Sequence, residues 1–331
     1  MRLSNPLARC SRILTIALLT GLFPAVPRAA DVAEPATSPV SGQRSFASPD
    51  EALQALKTAA ATKDPAAMSE LFGPDYPKLL TGDKAQDAKN AEHFAEIMAQ
   101  GCEPVAEGDA RITFETGTNH WPLPIPLVKA DGQWRFDTAA GQEEIINRHV
   151  GKDELHAIGV CRAYVTAQRQ FALTTARAGS ETKYAQKFMS TTGAKDGLYW
   201  PVTENEPASP FGPVVAEAEV GNYPGNNQSR PEPFHGYYFK ILTRQGPAAP
   251  GGKMRYLTRG DLIGGFALVA FPEHWDRSGI MTFIVNQDGQ VYQRNLGAKT
   301  ARLARALTEY NPDSNWTLVS DQGVLTAASE K

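Results

Sequence analysis

Cysteine, basic excess and long apolar runs are all scarce in this chain of 331 residues, and each scarcity removes a class of protein. Three cysteines, Cys10, Cys102 and Cys161, are too few for a disulfide-framework scaffold. Lys and Arg number 33 against 36 Asp and Glu, a formal charge of −3, so the basic footprint of a nucleic-acid binder is missing. No segment has the roughly 20 apolar residues that cross a bilayer. The best one beyond the N-terminus, residues 262–271, holds ten residues with two glycines, and no membrane span is expected. There is no Gly-x-Ser-x-Gly elbow for a hydrolase serine. Residues 246–254 (GPAAPGGKM) fail as a phosphate-binding loop: counted from Gly246, Gly252 stands where Lys is required and Lys253 where Ser or Thr would hold magnesium, and prolines remove N–H donors. No cofactor is implied.

What is present begins with an export signal. Arg2, Arg9 and Arg12 precede an apolar run over residues 13–26, and the small residues Ala29 and Ala30 follow. A basic start, a short apolar stretch and a small-residue exit predict a signal peptide over residues 1–30 and a periplasmic or secreted protein. Cleavage removes Arg2, Arg9, Arg12 and Arg28 and no acid, taking the formal charge from −3 to −7. Cys10 lies ahead of the apolar run, where no lipid anchor would be placed. In an oxidising compartment Cys102 and Cys161 either form a bridge or remain buried thiols.

Residues 31–47 are rich in Pro, Ala, Ser and Val without periodicity and read as a flexible leader. Ser48-Pro49-Asp50-Glu51 is a capping box that starts a helix, and two more helices are predicted from Pro65 and over residues 87–100. From Ala110 the period falls to two, predicting a short antiparallel meander through Phe136. An N-terminal α+β domain over residues 48–150 follows. Residues 140–148 and 152–178 read as two helices separated by Gly151, the longer one linking to a second domain over residues 151–331. That domain has a short helix at 184–189, a proline-rich loop at 190–234, four strands between 236 and 296, and a helix at 300–307. The fold class is α+β.

Several constellations offer candidate sites. Glu273, His274 and Asp276, flanking Trp275 in a connection between two strands, offer acid and base groups for a hydrolase-type reaction, against an ordinary polar connection. Trp200, Tyr223, Tyr238 and Tyr256 flank the long loop and would suit a recognition groove for a peptide or polysaccharide, or pack in the core. His149 and His156, with Asp153 and Glu154 between them, come nearest to a metal cluster, yet Gly151 argues against their sharing one helix, so no metal is expected.

The blocks at residues 134–145 (WRFDTAAGQEEI), 160–165 (VCRAYV), 235–242 (HGYYFKIL), 264–270 (GGFALVA) and 281–289 (MTFIVNQDG) resemble the bacterial exported family known as domain of unknown function 2950, over nearly all the chain from about Phe46 to Trp316. The resemblance implies architecture and compartment and no catalytic residue. Within it, the curved sheet on helices of the N-terminal part resembles the NTF2-like cone. Gly197-Leu198-Tyr199, the block at 236–239 and residues 282–292 are similar to pilin-like globular heads, where a helix packs on an antiparallel sheet. The assembly helix of a pilin has no counterpart here. The expected function is a non-enzymatic binding or interaction module of the cell envelope, its partner an envelope protein, a peptide or a polysaccharide; the alternative is a periplasmic hydrolase built on residues 273–276.

Overall fold

Apolar spacing that changes from helical to alternating and back again is realised as helices, a sheet, one long helix and a second sheet. The computed structural model describes residues 42–176, 181–202, 206–214 and 232–320. The signal peptide and most of the leader lie outside these residues, as does Tyr223.

Helices α1 (Pro49–Thr62), α2 (Pro65–Phe72) and α3 (Lys84–Gln100) open the fold, with a 3₁₀ segment, Gly73–Leu79, after α2. The capping box forms: Ser48 accepts from the Glu51 amide, and the Glu51 carboxylate accepts from the Ala47 amide at 3.0 Å. Asp64 and Asp83 cap α2 and α3 in the same way, satisfying amides that have no partner within the helix. An antiparallel sheet follows, made of β1 (Cys102–Ala106), β2 (Arg111–Thr116), β3 (Trp121–Pro122), β4 (Leu127–Ala130) and β5 (Gln133–Phe136), in the order β1-β2-β4-β5 with β3 beside β2. Strand β1 carries Pro104 and no apolar alternation, which hid it from a pattern reading.

Order begins before Ser48, which corrects the leader at its C-terminal end. Phe46 is buried and exchanges two 2.8 Å backbone hydrogen bonds with Trp134, while the Gln43 amide donates to the carbonyls of Leu71 and Phe136. One buried ring and one bridging amide tie residues 43–46 to the first sheet, something Pro/Ala/Ser composition does not register.

Helix α4 runs without interruption from Thr138 to Thr175, 38 residues. The two helices expected on either side of Gly151 are therefore one. Gly151 keeps helical geometry, and glycine in a helix interior costs only about 1 kcal/mol. Buried side chains along the rest of α4 outweigh that.

Beyond α4, residues 184–189 are irregular and not the short helix expected: Tyr184 bridges to Leu262 and Met189 to Tyr199. The second main sheet contains β6 (Tyr237–Leu242), β11 (Ala267–Pro272), β12 (Met281–Asn286), β13 (Tyr292–Asn295) and β14 (Thr317–Leu318), antiparallel in the order β14-β13-β12-β11-β6. Two small ribbons lie between β6 and β11, pairing β7 (Arg244–Gln245) with β8 (Met254–Arg255) and β9 (Leu257–Thr258) with β10 (Asp261–Leu262). Strand β11 is buried along its whole length, and both α4 and the last helix, α5 (Thr300–Ala306), pack on it. Such a strand reads as a continuous apolar run because both of its faces are covered.

Buried side chains fall into two apolar clusters within the compact unit Val40–Lys331. One, from Phe46 to Phe136, fills the space between the first helices and the first sheet; the other, from Ala157 to Tyr310, lies around α4 and the second sheet. Cys102 belongs to the first and Cys161 to the second, and both are free. The bridge between them is thus not made. No helix among the described residues is long and apolar enough to cross a membrane.

Candidate functional site

The acid and imidazole residues expected to act together at 273–276 are spread apart. His274 and Asp276 are exposed, and no hydrogen bond or ion pair joins the three. Glu273 instead accepts from the Tyr238 hydroxyl at 3.1 Å, and the guanidinium of Arg305 lies over the Tyr238 ring. The segment is a tight polar connection, held by the Ser278 hydroxyl under the His274 amide and by Trp275 donating to Asn295.

The expected aromatic groove does not assemble either. Tyr256 is 0% exposed and hydrogen-bonds Gln245 in the core, where burial pushes its hydroxyl up to about 12. Trp200 is 8% exposed, with Lys195 over its ring. Their apolar area is spent on packing and not on a ligand.

Two other places gather what a ligand needs. The first is a cavity of about 620 Å³ between α2, the 3₁₀ segment, α3 and the start of α4. Met68, Phe72, Tyr76, Leu79, Phe94, Leu123 and Ile125 form its wall, and Lys63 and Lys84 are its basic groups. Lys63 is paired with Glu92 at 3.3 Å, while Lys84 makes no ion pair among the described residues. Asp87, also on the lining, is held below the usual carboxylate range by hydrogen bonds from Thr81 and from the Gly82 amide. A second depression of about 670 Å³ is lined by Arg44, Asp50, Glu51 and Glu70 among others, and has no comparable apolar wall.

The second place is a cluster of Asp153, His156 and His235. One ligand atom from each lies within 4.8 Å of the other two, and no other such group of His, Cys, Asp and Glu occurs among the described residues. Asp153 and His156 stand at spacing i, i+3 on one face of α4, and because the helix does not break at Gly151, His149 stands one turn before Asp153. His235 arrives by a tight turn. Phe234 and Tyr237 exchange backbone hydrogen bonds of 2.8 and 3.0 Å around His235 (φ 44°) and Gly236 (φ 68°), the sign pattern of a type I′ turn. Gly236 is required twice over, for its positive φ and because a Cβ there would come 2.8 Å from the Asp153 carboxylate.

The surroundings fasten this corner. Glu154 accepts from the amides of Ile280 and Met281 at 2.8 and 2.9 Å, and the Tyr237 hydroxyl donates to the Met281 carbonyl. The imidazoles of His156 and His235 stand 4.0 Å apart, centroid to centroid. Asp153 is 4% exposed, and burial pushes its carboxyl upward against the pull of His149, His235 and Lys152. His149, one turn back and largely exposed, has Nε2 3.2 Å from an Asp153 oxygen.

Sequence reasoning named three of these four residues and missed His235, which is 79 positions beyond His156. The only local signal for it was Phe-His-Gly-Tyr: a Gly at the second central position of a two-residue turn, ahead of a strand.

Residues 43–319 match the family model described as a protein of unknown function, DUF2950. No curated protein and no solved structure matches the chain. The likenesses to the NTF2-like cone and to pilin heads thus have no structural counterpart among these findings.

Proposed function

The chain belongs to the DUF2950 family, and from that premise we propose that it acts, after export, as a non-enzymatic binding module of the bacterial envelope whose cavity takes an amphipathic ligand: an acyl chain carrying an anionic head. One observation carries this reading, the cavity of about 620 Å³ with an apolar wall and a lysine, Lys84, that makes no ion pair among the described residues. That volume falls within the roughly 300–1,000 Å³ of small-molecule sites, and apolar lining with few polar groups is their usual chemistry. Met68 adds an adaptable, polarisable surface suited to a flexible chain. Lys84 supplies a cation for the head group. Burying acyl methylenes gains about 0.8 kcal/mol each, enough for micromolar affinity without an elaborate polar site.

The hydrolase alternative at residues 273–276 lacks the convergence that acid–base work needs. The sequence feature supporting export is the basic–apolar–small pattern of residues 1–30.

Titration of the purified protein with palmitate, displacing a fluorescent fatty-acid probe, is expected to show saturable binding. Ala91→Trp, which fills the cavity from α3, is expected to weaken it at least about tenfold, with the circular dichroism spectrum unchanged. No displacement in the wild type, or equal affinity in the variant, would overturn the reading.

A further inference from the structure

The geometry points to a binding site for a divalent transition-metal ion, of the zinc class, formed by Asp153, His156 and His235. It does not depend on the cavity or its ligand.

The donor set is two imidazole nitrogens and one carboxylate oxygen. Imidazole selects zinc, copper, nickel or iron over magnesium and calcium, which prefer all-oxygen shells. Three protein ligands with a fourth position left open is a common arrangement for zinc. Ligand atoms about 2.0–2.2 Å from a tetrahedral ion stand roughly 3.3 Å apart. The present separations, all within 4.8 Å, stand within about 1.5 Å of that geometry.

The scaffold is also the kind that such a site needs. Two ligands lie on a continuous helix and the third on a turn of fixed conformation, so the positions are set before an ion arrives. Around them stands a supporting shell. His149 reaches an Asp153 oxygen, Gly236 leaves room for that carboxylate, and Glu154 fixes the start of β12 beside the turn. Outer partners of this kind orient ligands and tune affinity. Asp153 is the buried member, and an isolated carboxylate at such a position is costly unless a positive partner meets it. A dication supplies that partner. An ion held there would cross-link α4 to the turn that begins the second sheet.

The test uses the tag-free protein, stripped with chelator and titrated with Zn²⁺ in a calorimeter. One equivalent per chain is expected. His156→Ala and His235→Ala are each expected to lower affinity by about 100-fold or more, since loss of an outer partner alone costs about 10- to 100-fold. His93→Ala, at an exposed His93–Glu96 pair elsewhere, is the control and should bind as the wild type does. Should the ligand variants fail to fold, ring ¹⁵N signals of the wild type decide: Zn²⁺ must move those of His156 and His235. Absence of stoichiometric binding, unchanged affinity in both ligand variants, or shifts confined to exposed histidines such as His93 and His274 would overturn the assignment.

Discussion

Cys161 shows how far burial alone determines the chemistry of a side chain. It is 0% exposed on α4, and the loss of water pushes its thiol up to about 12, so almost no thiolate exists at neutral pH. Cys102, buried in the other apolar cluster, is shifted in the same direction. Both thiols are therefore expected to resist iodoacetamide in the native protein and to react fully once it is unfolded. Mass spectrometry under non-reducing conditions should count two added groups after denaturation; a mass two units lower with none added would show a bridge instead. Whether two cysteines pair depends on which core each enters, and spacing along a chain does not encode that. The aromatics teach the same lesson. Tyr256 and Tyr238 look alike in sequence, yet one is sealed in the core and the other meets Glu273 and Arg305 at the surface.

At the scale of elements, much was legible because local physics governs it. Ser48, Asp64 and Asp83 mark helix starts through their own hydrogen bonds, period-two apolar spacing located β2, and short apolar runs located β6, β11 and β12. Gly151 misled because a propensity of about 1 kcal/mol was weighed without the packing that opposes it. That error also separated His149 from Asp153 and His156, since the three share a face only if the helix continues. The glycine can be tested directly. No atom lies within 4 Å of a Cβ placed at Gly151, and its φ is not positive. Gly151→Ala is thus expected to stabilise the protein by about 0.5–1 kcal/mol in urea denaturation, and Gly151→Pro to destabilise it by about 3 kcal/mol or more. Equal stability of the alanine variant and the wild type would argue against an uninterrupted α4.

Across the whole molecule, stability is shared between two apolar clusters joined by α4, whose first residue, Thr138, hydrogen-bonds the carbonyl of Phe72 in one and whose residues from Ala157 onward belong to the other. Leu56 is fully buried in the first and Phe283 in the second. Leu56→Ala is expected to cost about 2–5 kcal/mol and Phe283→Ala about 3–5 kcal/mol. Because one helix serves both clusters, calorimetry should show each variant lowering the midpoint of a common transition. Two resolved transitions, each moved by only one variant, would refute that coupling. The distant member of the candidate cation site belongs to this scale. His235 meets α4 only after the second sheet is built, and no local pattern could have announced it. The continuous helix has a further consequence for what changes the chain can accept. Ile145 lines the cavity and Asp153 enters the cation site, eight residues or about 12 Å apart on a single rod. One inserted residue between them would turn everything beyond it by about 100° and advance it by about 1.5 Å. Within that interval an exposed side chain such as Ile146 can be exchanged, but the number of residues cannot change: α4 is a gauge whose length is fixed to the residue.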